Sequence, residues 1–319
     1  MRYVIPGGSG QIGTFLARSL RERGHEVLII GRSSDDPALR WDGRTLGPWA
    51  EAIDGADAVV NLTGRSVNCR YHWSNLAEMM SSRIDSAEVI GKAIARARHP
   101  PRVWLQGSTA TIYAHTFGEA HTEAEGELGG REPDVPAYWS YSVHIARAWE
   151  HVLAAADTPR TRKVALRTGF TMSPDPGGVF DVLFKLARAG LGGPFYGGAQ
   201  YVSWLHDVDF VNIVRFLVET EELSGPVNLT APEPLTNGAF MGILRKAGGI
   251  PFGMPIWPGV AELGAVFLKT DVELMRKSRR VVPEKLLDAG YTFHMTRWED
   301  AAPDLVARWQ AMGRGEGST

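Results

Sequence analysis

Gly7, Gly10 and Gly13 are spaced Gly-x-x-Gly-x-x-Gly, and that spacing suits a backbone turn that holds a pyrophosphate. Such a turn reverses the chain tightly, lets backbone approach the phosphates closely, and packs the next helix against a sheet. Amides at that helix's N-terminus then face the negative charge. Gly7, Ser9, Gly10, Gln11, Ile12 and Gly13 are therefore the expected phosphate-binding set. About 20 residues further on, an NAD site usually places an acid on the ribose hydroxyls. This chain has Gly31-Arg32-Ser33-Ser34 instead. A guanidinium and hydroxyls there suit a 2′-phosphate, so Arg32 and Ser33 favour NADP(H) over NAD(H). The alternative leaves Arg32 in solvent, with Asp35 or Asp36 reaching the ribose.

These residues need a βαβ scaffold, and the pattern supplies one. Tyr3-Val4-Ile5 reads as a buried strand, Phe15, Leu16 and Leu20 have helical spacing, Gly24 suits a helix end, and Glu26 to Ile30 reads as the second strand. Further strands are expected at Ala56 to Leu62, Val103 to Gln106 and Val164 to Arg167. Helices are expected from about Asn75 to Arg98 and from about Ile145 to Ala155, and residues 118–136 read as a surface loop. Alternating strands and helices predict an α/β fold, a Rossmann-type doubly wound parallel sheet. The alternation weakens after Pro174, which predicts a smaller C-terminal substrate lobe. The expected division is residues 1–170 with 203–230 for the dinucleotide, and 171–202 with 231–319 for the lobe.

The chain's 319 residues can bury a sizeable core. A net charge of −2 and a pI near 6.5 give no electrostatic footprint for nucleic acid or an anionic membrane. With no leader pattern and no long apolar run, the expected compartment is the cytoplasm. The single cysteine, Cys69, and nine scattered histidines predict no metal. A small-molecule substrate is the expected partner, and a homodimer is left open.

Seven segments carry a family resemblance nearly end to end: Asn61-Leu62-Thr63-Gly64, Ser82-Arg83-Ile84, Trp149-Glu150, Gly190 to Pro194, Trp204 to Asp207, Gly225 to Pro232 and Val282 to Tyr291. The chain resembles the extended short-chain dehydrogenase/reductases, and within them the atypical branch called NAD(P)-dependent epimerase/dehydratase family proteins with a C-terminal domain of unknown function. The resemblance implies that Leu62, Thr63 and Gly64 pass beside the nicotinamide half of the cofactor. It puts Arg83 where extended members often have an asparagine, with Glu78 preceding it on a related helix face. Thr109 matches the hydroxyl that meets the substrate's reacting oxygen, though the same hydroxyl suits a turn cap.

The departure lies in the Tyr-x-x-x-Lys pair, in which the lysine holds the ribose and lowers the tyrosine's pKa. Anchored on Glu150, the tyrosine position holds Ser142 and the lysine position Ala146, and no lysine occurs between Lys92 and Lys163. Tyr141 and Tyr113 are the substitute proton donors. Cys69 with His72, His206 with Asp207, and the aromatics Trp257, Tyr196 and Tyr201 rank below them. Two functions follow from this set. One is an NADP(H)-dependent oxidoreductase or epimerase acting on a small polar, sugar-like substrate. The other is an NADPH-binding regulator or scaffold without turnover.

Overall fold

The computed structural model describes residues 1–256 and 273–315, apart from 68, 70, 134 and 137. Six parallel strands form the central sheet: β1 (Arg2–Pro6), β2 (Glu26–Ile30), β3 (Ala58–Asn61), β4 (Val103–Thr109), β5 (Arg162–Thr168) and β9 (Gly225–Leu229). Their spatial order is β2-β1-β3-β4-β5-β9. The chain moves outward from β1 to β2, then returns across β1 to β3, so the order reverses beside β1. Open α/β sheets bind ligands at such a reversal, outside the strands' carboxyl ends. Beyond β2 the edge carries a single parallel bridge, Gly31 to Arg40, instead of a further strand.

Side chains on a strand alternate between faces, and β1 divides two cores accordingly. Tyr3 and Ile5 pack with α1 (Gln11–Glu22) and α5 (Asp207–Glu219), whereas Val4 packs with α2 (Trp73–Arg96) and α3 (Trp139–Ala155). The result is three layers, helix, sheet and helix. Helix α3 starts at Trp139, six residues earlier than the apolar spacing suggests, because its first two turns are rich in aromatic and polar residues whose periodicity is weak.

After β5 the chain makes short pairs: β6 (Phe170–Met172) with β8 (Trp204–His206), and β7 (Tyr201–Val202) with β10 (Leu235–Thr236). Helices α4 (Val179–Leu186), α6 (Asn237–Ala247), α7 (Glu273–Arg276), α8 (Glu284–Asp288) and α9 (Trp298–Gly315) complete the described elements. A third apolar cluster holds this part together, with Phe180, Phe184, Trp204, Phe240 and Trp298 at its centre. Trp298 stacks on Phe240 with ring centroids 4.1 Å apart. By contrast, Leu286, Tyr291 and Phe293 pack into the sheet's own core.

A polar clamp fastens α9 to the start of α5. Arg308 donates to both oxygens of Asp207, at 2.9 and 2.7 Å, and to Asp304 at 3.2 Å. The His206 Nδ1 accepts the Val208 amide at 3.3 Å, so its Nε2 carries the proton directed at Asp304, 3.0 Å away. Burial lowers the His206 pKa and keeps the ring neutral, with Asp207 and Asp304 opposing that shift. His206 thus caps a helix and joins two elements. Removing Arg308 strands the buried Asp207 carboxylate. Arg308→Ala is expected to cost roughly 2–3 kcal/mol, under the usual figure for a fully buried pair because the guanidinium keeps some solvent. Urea denaturation checks this, and an unchanged midpoint would show the clamp to be dispensable.

Candidate active site at the sheet's carboxyl edge

The glycine turn and the end of β3 are built around each other. Gly7 has φ +75°, and a Cβ there would lie 2.8 Å from the Thr63 backbone. Any side chain at position 7 is therefore both strained and blocked. The Gly7 amide donates to Ile30 O at 2.9 Å, which ties the turn to β2 as well. A Cβ on Gly13 would lie 2.6 Å from Gly8 O, so only glycine lets α1 sit this close to the turn. Gly10 differs, since a Cβ there meets just Gly7 O at 3.3 Å. That position opens outward, where a pyrophosphate would lie.

Helix α1 begins at Gly10 with no side-chain cap and no acid in its first turn. Its leading amides and the positive end of its dipole are left for an anion. Ser9 is exposed, and its hydroxyl lies by Gly31. The Gln11 side chain lies against Gly178 at the start of α4, where a Cβ would overlap it. Ile12 packs on the sheet core. At the end of β2, Arg32 and Ser33 are exposed, and Arg32 makes no ion pair or hydrogen bond among the described residues. Asp36 turns into its own loop, accepting the Ala38 amide at 2.9 Å.

The β3 end continues the cleft. Leu62 N donates to Pro6 O at 2.9 Å, and Thr63 N donates to Asn61 Oδ1 at 3.0 Å. The Thr63 hydroxyl is buried and has no hydrogen-bond partner among the described residues, so it is free to bond a group placed at the β3 end. Gly64 packs on Arg83, whose Cζ would lie 3.0 Å from a Cβ there. Arg83 donates to Met79 O at 2.9 Å and lies over the Trp149 ring at 5.0 Å. Burial lowers its pKa to about 10 against the pull of Tyr71 and Cys69, so it is charged at neutral pH. Glu78, on the exposed side of α2, pairs with Arg65. The turn, the uncapped helix, Thr63 and Arg83 together fit a dinucleotide.

The β4 end holds the substrate candidates. Thr109 Oγ1 accepts the Thr111 amide at 3.2 Å and donates to Thr111 Oγ1 at 3.1 Å, capping the short turn Ala110–Ile112. The Tyr113 ring is buried, and its phenol accepts from Arg167 at 2.8 Å while donating to Asn228 at 2.9 Å. Burial raises its pKa, with Arg167 opposing. Tyr141 is half-buried and meets the Trp73 ring edge-on at 5.8 Å. Cys69 faces the Met79 sulfur at 3.9 Å, and among the described residues no hydrogen bond joins it to His72. Tyr196 and Tyr201 lie under Arg276 and Arg280, whereas Trp257 falls outside the described residues. Among the described residues no three His, Cys, Asp or Glu side chains gather as a metal site.

Sequence reasoning passed over two polar groups beside these residues. Glu150 forms a two-point pair with Arg167, at 2.9 and 2.8 Å, and accepts from Ser108 at 2.6 Å. The second group comes from the C-terminal segment. Ser142 donates to Glu273 at 2.7 Å, Lys277 Nζ donates to Thr111 O at 2.9 Å, and Arg279 Nε donates to Thr111 Oγ1 at 3.2 Å. Burial, then Arg279, lowers the Lys277 pKa to about 8 against Glu273 and Glu132. The basic run Arg276-Lys277-Ser278-Arg279-Arg280 was the available signal. Nothing in its spacing pointed at α3.

Ala146, at the lysine position, is fully buried with Ala110, Ile112, Tyr113 and Val281. A lysine there would enter an apolar cluster, which explains in packing terms why α3 carries no such cation. Ala146→Lys is expected to destabilise the fold by roughly 3 kcal/mol through overpacking and burial of charge. Thermal and urea unfolding test this, and an unchanged midpoint would mean that position 146 opens to the cleft.

Comparison with known proteins agrees with this geometry. Residues 3–229 match the model of the NAD dependent epimerase/dehydratase family, and residues 262–305 match a domain of unknown function, DUF1731. A bovine protein, epimerase family protein SDR39U1, is 30% identical over 313 residues, covering 96% of this chain and all of that one. An epimerase family protein of Mycobacterium tuberculosis is 31% identical over 295 residues, 91% of this chain and 93% of its own. The crystal structure of human SDR39U1 (isoform 2) with NADPH superposes with a TM-score of 0.82 at 26% identity, covering 96% of this chain and 99% of the human one. A tight glycine turn opening α1, a doubly wound parallel sheet and these end-to-end matches give one conclusion: the chain belongs to the NAD dependent epimerase/dehydratase family, with a DUF1731 domain at its C-terminal end.

Proposed function

We propose that the protein binds NADP(H) and acts as an oxidoreductase or epimerase on a small polar, sugar-like substrate. The observation that carries the cofactor choice is Arg32, exposed at the end of β2, while Asp36 is turned away into its own loop. The human relative solved with NADPH supports the same choice. A bound nicotinamide supplies hydride exchange at carbon. Gly7 to Gly13 hold the pyrophosphate, Arg32 and Ser33 the 2′-phosphate, and Leu62, Thr63, Gly64 and Arg83 border the nicotinamide half. Glu78 acts at one remove, by holding Arg65. Thr109 orients the reacting oxygen from the β4 end, and Tyr141 is better placed than the buried Tyr113 to meet a substrate. The third apolar cluster supports reading residues 171–202 and 231–319 as the substrate lobe, with residues 286–293 packed against the sheet.

A second reading, an NADPH-responsive binding protein without turnover, is favoured by one observation: Ala146 lies in an apolar cluster, so the position four residues after Ser142 offers no cation to activate a phenol. A carbonyl-substrate screen that follows NADPH absorbance separates the two readings.

Two measurements test the cofactor site. Calorimetry is expected to show tighter binding of NADPH than of NADH, with Arg32→Ala removing roughly ten- to a hundredfold of the preference, the worth of a charge-assisted contact. Equal affinities in the unaltered protein would remove the NADP assignment. Gly10→Val is expected to abolish binding of both cofactors while the fold persists, because the added side chain has room in the protein and occupies the pyrophosphate's place. Retained affinity would put the cofactor elsewhere.

A further inference from the structure

In this fold the proton donor is expected on α3 at position 142, and the chain has a serine there. The structure gives that serine a partner. Ser142 Oγ donates to Glu273 Oε2 at 2.7 Å, across 131 residues of sequence. Glu273 is fully buried at the start of α7. A carboxylate is rarely taken out of water without a compensating role. Two cations of the same segment, Lys277 and Arg279, lie within electrostatic reach of Glu273. Both are themselves anchored to Thr111, the residue that shares a hydrogen bond with Thr109. The C-terminal segment thus brings a carboxylate and two cations to the empty tyrosine position and to the expected substrate hydroxyl.

We propose that Ser142 and Glu273 form the proton relay of this enzyme, with Glu273 supplied by the C-terminal domain in place of the phenol missing from position 142, and with Tyr141 left to contact the substrate. The relay rests on the oxidoreductase reading above. In the oxidising direction the substrate's O–H bond breaks and its proton passes to Ser142 Oγ. The serine's own proton passes to Glu273 Oε2, and the O–H electron pair becomes the second C–O bond as the carbon's hydride leaves, for which a bound NADP+ would be the acceptor. The reverse transfers protonate that oxygen in reduction. Ser142 is the group that touches substrate. Glu273 acts through it, with Lys277 and Arg279 tuning its charge and Tyr71 and Glu132 acting on those two cations. A hydrogen-bond tether to Ser142 needs only an acceptor at position 273, whereas the charge of Glu273 also meets Lys277 and Arg279.

Glu273→Gln separates these roles, because an amide oxygen still accepts from Ser142 but cannot take its proton. The experiment uses the full chain and reads kcat and KM on substrates found in a carbonyl and polyol screen, NADPH affinity by calorimetry, and the melting temperature of the cofactor-free protein. The relay predicts that Glu273→Gln and Ser142→Ala each lower kcat at least tenfold. NADPH affinity in both variants should stay within error, whereas Glu273→Gln is expected to lower the melting temperature, because buried Lys277 and Arg279 lose a counter-charge, so kcat is read below the unfolding transition. Glu273→Asp should recover part of kcat. Full kcat in Glu273→Gln would reduce the pair to a tether and overturn the relay, and so would no turnover by the unaltered protein that binds NADPH. Should Glu273→Gln fail to fold, Ser142→Ala decides, with undiminished kcat overturning the relay. Absence of NADPH binding by the unaltered protein would instead remove the underlying cofactor reading.

Discussion

The approach of Gly7 to the Thr63 backbone is the contact on which the rest of the site depends. It is possible because residue 7 has no side chain and takes a positive φ. Through it the β1 turn and the β3 end meet at the reversal of strand order, so the leading amides of α1 and residues 62–64 lie together at the carboxyl edge of the sheet. Arg83 is then placed by contact with Gly64 and Trp149. A larger residue at position 7 would separate these groups even with every strand intact.

Helix α3 departs from the pattern that the family resemblance implies. In α3 the positions that usually carry tyrosine and lysine have become a serine and an alanine, and the alanine closes an apolar cluster with Val281 of the C-terminal domain. Glu150 remains, held by Arg167 and Ser108. The polar groups nearest the old proton-donor position now come from residues 273–279. The C-terminal domain therefore bonds both to α3 and to the turn that follows β4. Its anchoring differs from end to end: residues 286–293 pack into the sheet core, whereas α9 is clamped through Asp207, Arg308, Asp304 and His206.

Much of the dinucleotide half was legible in the sequence. Gly7, Gly10 and Gly13 have a spacing whose physical demands are local, and the alternating apolar runs fix strand and helix over ranges that differ from the structure by a few residues. The turn-cap alternative for Thr109 was legible for the same reason, since the capped amide lies two residues away. The start of α3 was obscured because Trp139 to His144 lack a clear apolar period.

What the sequence determined by itself is what short-range geometry controls: a tight glycine turn after β1, a basic end to β2, a parallel α/β alternation, and the serine and alanine at positions 142 and 146. Tertiary structure alone decided the rest. That Val281 closes on Ala146, that the Thr63 hydroxyl is buried with no hydrogen-bond partner among the described residues, and that Glu273 reaches Ser142 across 131 residues are outcomes of packing between distant segments. No local periodicity encodes them, because a side chain's partner in a buried cluster is set by which surfaces the whole chain brings together.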